Sequence, residues 1–133
     1  MNLHGGGVGV YTPIESSTSE AASPRPVYFG MQFAQMFAGY RVAQCALDTG
    51  ANINAYQGTK AGKTLLALVN KGDAAVRVAL PGSFARAQEV RVWELRGPSL
   101  AAKTDVRFGP APEARSAAVV GVDGYSGVIL AAG

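Results

Sequence analysis

Hydrophobic positions along this chain follow two different periods, and the change comes near residue 40. Phe29, Phe33, Met36, Phe37 and Tyr40 recur at i, i+4, i+7, i+8 and i+11, which places them on one face of a helix. Ser23 is suited to cap such a helix, and Pro24 and Pro26 suit its first turn. The spacing predicts a helix over residues 26–38 with Gly39 as its C-terminal stop. Gly30 inside it costs about 1 kcal/mol relative to alanine and points to a close packing partner.

Beyond Gly39 the period is two. Strands are expected at 41–47, 52–58, 64–70, 74–80, 89–95, 104–108, 117–122 and 125–131, separated by Gly, Pro, Asn and Asp. In 74–80 the apolar Val76, Val78 and Leu80 share one face and Arg77 takes the other, so that strand has one side on a core and one in water. In 89–95, Val90 and Val92 share a face ending in Glu94, while Glu89, Arg91, Trp93 and Leu95 share the opposite one, so both ends of that strand are expected to be partly covered. Residues 1–24 hold four of the seventeen glycines and a Ser/Thr/Glu/Ala stretch, and read as loop with a strand pattern only over 8–11.

The fold class is therefore mainly β, an antiparallel β-sandwich preceded by a glycine-rich loop and one α-helix. A lone helix in that position is unusual for a self-contained domain. A (β/α)8 barrel ends in a strand, a loop and a helix of this kind, its eighth loop facing the active site. The expected organisation is a remnant of a last β/α unit over 1–39 and a C-terminal β-sandwich domain over 40–133.

Composition sharpens this. With 133 residues, 48% hydrophobic and 16% charged, the chain can form one core and is not expected to be disordered. No apolar run approaches the roughly 20 residues of a membrane span, so a soluble domain is expected. Residues 1–11 show neither a basic leader nor an apolar run of signal-peptide length, so an exported parent would carry its signal elsewhere. The net charge of +3 arises from twelve Lys and Arg spread singly from Arg25 to Arg115, without the stripe that nucleic-acid binding requires. Such an excess suits an acidic polysaccharide, and equally an ordinary solvated surface. Cys45, alone in an apolar setting, reads as a small buried side chain.

Candidate chemistry is sparse. Asp48, Thr49, Gly50 and Ala51 match the catalytic turn of aspartic proteases, Val119, Val120 and Gly121 resemble the element that packs behind it, and the length suits a dimeric retropepsin-like enzyme. The residues that follow, 52–57, are not an apolar strand, and Asp48 reads more simply as a hairpin residue bonding its own backbone. The stretch 58–64 approaches a phosphate loop, but its first glycine is one residue too close and it joins two strands. His4 to Gly7 resemble a lipase oxyanion loop without its nucleophile elbow, since 124–128 ends in Val128. His4 is the single histidine, so neither a Ser-His-Asp triad nor a histidine-rich metal site is expected, and no cofactor or metal is implied. Trp93, the single tryptophan, is either the sugar-stacking platform of a free-standing carbohydrate-binding β-sandwich or a half-buried packing residue beside Leu95.

Several segments in order resemble one family. Asn2 to Gly7 with Gly9, Tyr11 and Thr12 to Ile14, then 24–39, then 65–80, 92–109 and the closing Gly124 to Ala132 together resemble glycoside hydrolase family 79, the β-glucuronidases and heparanases. The resemblance implies that the first segments are the last barrel strand, loop and helix, and the others pieces of a C-terminal β-domain. It also implies that a uronate carboxylate is held by a backbone NH and a tyrosine hydroxyl in a Gly-x-Tyr arrangement, matched here by Gly9 and Tyr11. Both groups donate to an anionic oxygen, and charge-assisted bonds are the stronger kind. The residues alone leave open that Gly9 is loop punctuation and Tyr11 a packing residue.

Retaining glycosidases need two carboxyl groups about 5 to 5.5 Å apart. In the family both are glutamates on earlier barrel strands, the acid following an asparagine, and no Asn-Glu pair occurs here. Glu15 and Glu20 lie in a polar loop, and Glu89 and Glu94, five apart, point to opposite strand faces. The expectation is a non-catalytic domain whose partner is a (β/α)8 barrel absent from this chain, with uronate-containing glycans as ligands of the whole.

Overall fold

The strands whose sequences read as unbroken apolar runs lie at the centre of the sheet, where both faces are covered. In the computed structural model, which describes residues 4–5, 14–15, 23–111 and 118–132, thirteen short elements follow one another. They are β1 His4–Gly5, β2 Ile14–Glu15, β3 Ser23–Pro24, α1 Pro26–Gln35, β4 Arg41–Cys45, β5 Ile53–Lys60 and β6 Lys63–Asn70. After these come β7 Val76–Ala79, α2 Gly82–Ala85, β8 Val90–Arg96, β9 Arg107–Pro110, β10 Val119–Val122 and β11 Ser126–Ala132. The main sheet is antiparallel with order β4-β5-β6-β11-β8-β9, and β7 pairs with β10 in a second, two-stranded sheet. The chain is thus a mainly β, antiparallel structure, as its patterning predicts.

The two faces of the main sheet have different covers. On one, Ile53, Ala55, Leu66, Leu68, Val90, Val128 and Leu130 pack with Leu80, Phe84 and Val122 from the β7–β10 side. Cys45 lies at the margin of this core and is half-buried, less covered than the buried side chain its apolar setting predicts, because β4 is an edge strand. On the other face, Leu65, Ala67 and Ile129 pack against Phe33, Met36 and Phe37 of α1 and its C-terminal turn, with Tyr40, Tyr56, Trp93 and Phe108 around them. Strands β6 and β11, between these covers, therefore carry apolar residues at successive positions. Strand β7 has water on one side, and alternates cleanly.

Helix α1 approaches the sheet over two glycines. A Cβ at Gly58 would stand 2.8 Å from Phe37 Cδ1, and one at Gly127 would stand 3.0 Å from Phe33 Cε2, so the two rings rest on bare backbone. Phe33 also meets Phe108 edge-on, centroids 5.9 Å apart. Gly30, expected to mark the close contact, has nothing within 4 Å of where its Cβ would lie. The close approach is made by glycines of the strands, which helix periodicity cannot reveal.

Other expectations are corrected too. Arg25, with no side-chain capping bond, is the N-cap of α1, because Ser23 is taken into β3 opposite Glu15. The helix ends at Gln35 and not at Ala38, since Phe37 and Ala38 bond back three residues in a tightened turn that closes at Gly39 with φ of 77°. Within the region read as loop, β1, β2 and β3 form a three-stranded sheet of two-residue strands, too short to leave a periodic trace. The pattern at 8–11 lies outside the described residues. Strand β9 starts at Arg107 and not at 104, because Asp105 takes a left-handed φ of 62°. Pro110 is tolerated there because β9 is an edge strand. Helix α2, one turn around the fully buried Phe84, is shorter than any helical period. No helix among the described residues is long and apolar enough to cross a membrane.

Candidate functional site

A cavity of small-molecule size lies on the α1 side of the sheet, where the register of four strands sets out its floor. Antiparallel pairing aligns Tyr56, Ala67, Ile129 and Trp93 in one row, and Gly58, Leu65, Ala131 and Arg91 in the next. The turn after α1 then brings Met36 and Tyr40 over this floor, half-buried. Between them opens a cavity of about 380 Å³, lined by Met36, Tyr40, Lys63, Leu65, Arg91 and Trp93 among others. That is within the range of small-molecule sites.

Its polar groups come from two strand ends. Glu89 Oε1 accepts from Arg91 Nε at 3.0 Å, both side chains being well exposed. Lys63 follows the β5–β6 turn, where Ala61 and Gly62 have φ of 45° and 80°, the left-handed pair that a two-residue hairpin requires. This turn joins two strands and opens no helix, which removes the phosphate-loop reading of 58–64. On the other side of the turn, Lys60 Nζ stands 5.7 Å from the centre of the Tyr40 ring. Trp93 is half-buried, with one part in the packed cluster and another lining the cavity, which agrees with the reading of it as a half-buried packing residue. Strand alternation finds Arg91 and Trp93. It misses Met36 and Tyr40, which arrive from another element, and Lys63, which the hairpin delivers.

Glu89 and Glu94 do not form a pair. Glu94, on the opposite face of β8 from Arg91 and Trp93, bonds Arg96 at 2.9 Å, and Arg96 also reaches Asp123 at 3.5 Å. Glu89 lies one residue before β8 and faces the cavity described above. Asp48 is exposed in the loop between β4 and β5. There the side-chain bond to the turn is made by Thr49, whose Oγ1 accepts from Ala51 N at 3.1 Å, and not by Asp48 as expected. Val119 to Val122 pair with β7. Gly9, Tyr11 and Glu20 lie outside the described residues. Among the described residues no three His, Cys, Asp or Glu side chains gather as a metal site would require.

No protein-family model and no curated protein matches the sequence. Solved structures do. The catalytic domain of the GH30 xylanase C of Talaromyces cellulolyticus superposes with a TM-score of 0.72 at 11% identity, over 98% of this chain and 29% of that one. A GH30 endoxylanase of Clostridium papyrosolvens C71 gives a TM-score of 0.49 at 19% identity, over 76% of this chain and 25% of that one. A family 30 subfamily 8 xylanase of Clostridium acetobutylicum gives 0.48 at 18%, over 71% and 24%. The first likeness establishes a shared fold. The chain spans less than a third of the length of these relatives in structure.

Proposed function

We propose that this chain is the non-catalytic C-terminal β-domain of a larger glycoside hydrolase of the family 79 kind, bracing a (β/α)8 barrel and lending a uronate-binding loop. The observation that carries this reading is the superposition of nearly the whole chain on 29% of a xylanase catalytic domain. Two features support it. Glu89 and Glu94 are each tied to an arginine and point to opposite faces of the strand, an arrangement that does not bring these two together as an acid and nucleophile about 5 to 5.5 Å apart. Helix α1 carries no charged residue, yet none of its residues is buried, which suits a helix with a second layer on its outer side. The order of segments resembling family 79 favours that family over family 30. Gly9 NH and Tyr11 OH are then the donors to a uronate carboxylate.

The isolated chain should turn over no aryl β-glucuronide, because positioning alone cannot replace an acid and a nucleophile. In the complete parent, Tyr11→Phe should cost a glucuronide about 1 to 3 kcal/mol of transition-state binding and a matching glucoside little. Turnover by the isolated chain would refute the non-catalytic role. Equal losses in kcat/KM for both substrates would show that Tyr11 shapes the loop and does not read the carboxylate.

A further inference from the structure

The cavity beside Trp93 brings together groups that sugar recognition uses. Trp93 and Tyr40 offer aromatic surface, and Met36, Leu65 and Ala131 an apolar floor, against which the C–H face of a pyranose can rest. Glu89 takes only the Nε of Arg91, so the two Nη groups of the guanidinium remain for a ligand. That fork matches a carboxylate bidentately. The ion pair itself, with side chains 70% and 60% exposed, adds little to stability. Lys63 on the rim and Lys60 over Tyr40 bring the local count to three cations against the one carboxylate of Glu89.

We propose that this cavity is a subsite for a uronic-acid residue of a glycan chain. Trp93 stacks on the ring, the Arg91 Nη groups bind the carboxylate, Lys63 adds charge, and Glu89 orients Arg91 and accepts from a ring hydroxyl. The assignment rests on this cavity alone. It is independent of the parent's family and of Gly9 and Tyr11, so its failure would leave the domain assignment intact, and the reverse.

Trp93 is the single tryptophan of the chain, so its fluorescence reports this site and no other. The 133-residue chain is titrated with a glucuronate-bearing xylo-oligosaccharide and, in parallel, with neutral xylotetraose. The expected result is a saturable change in emission, with the acidic sugar bound about tenfold more tightly and its advantage shrinking as salt is raised. Arg91→Gln and Lys63→Gln should each lower affinity for the acidic sugar by about tenfold, leaving neutral-sugar binding and the thermal midpoint unchanged. Amide chemical shifts around Arg91 and Trp93 give a second reading where emission is silent. The proposal is overturned by equal affinity for the two sugars, by unaltered acidic-sugar binding in both variants, or by no saturable response in either signal up to about 10 mM.

Discussion

Asn70 shows how much a single polar residue can hold together. It is 2% exposed, and its side-chain amide donates to the carbonyls of Ala74 at 2.8 Å, Val122 at 3.2 Å and Asp123 at 3.0 Å, while its Oδ1 accepts from Gly72 N at 3.0 Å. One side chain at the end of β6 thereby fixes the loop to β7 and the end of β10, and so ties the two sheets. Ser126 adds a bond to the same Asp123 carbonyl at 2.7 Å. Asn70→Ala should destabilise the chain by about 2 to 3 kcal/mol, because buried backbone groups lose their partners. Asn70→Asp should be worse, since a carboxylate cannot donate and would itself be buried unpaired. Chemical denaturation measures both, and an alanine variant within about 0.5 kcal/mol of the parent would mean that water replaces the amide. In the sequence, Asn70 was only the polar end of an apolar run, and nothing local distinguishes it from an ordinary turn residue.

At the scale of elements, legibility followed from how many faces a strand buries. β7, with one face in water, was readable residue by residue, whereas the untidy β8 makes sense only once α1 is seen on one face and the main core on the other. The joining of Tyr40 to Trp93 was not legible, because it depends on how a helix crosses a sheet and not on the period of either. The glycines carry the same lesson and a direct test. Gly58→Ala and Gly127→Ala push a methyl against Phe37 and Phe33, and each should cost about 1 to 3 kcal/mol by lifting α1 from the sheet. Gly30→Ala, with open space around it, should instead stabilise by up to about 1 kcal/mol through helix propensity. Thermal unfolding of the three variants decides: if Gly30→Ala is the damaging change and Gly58→Ala is silent, the helix does not sit on the sheet as described.

For the whole molecule, the decisive surface is the apolar one left beside α1. Phe33, Ala34, Phe37, Val42, Tyr56, Ala67 and Val69 line a groove of about 230 Å³ between the helix and strands β4 to β6, and Val42 on the edge strand is 49% exposed. An uncharged helix beside an apolar groove at a sheet edge is a surface built to be covered. In the proposed parent the covering layer is the barrel. The isolated chain should therefore self-associate reversibly as its concentration rises. Val42→Lys should suppress this, because a charge on an edge strand blocks both apolar contact and strand pairing. If the barrel covers this face as proposed, the same change in the complete parent should lower stability by about 1 to 3 kcal/mol, since a charge would then lie inside the contact. Sedimentation of the isolated chain and denaturation of the parent together separate the outcomes. A monomer at every concentration, joined to a parent indifferent to Val42→Lys, would mean that this face meets water in the working protein and that the β-domain braces nothing through it.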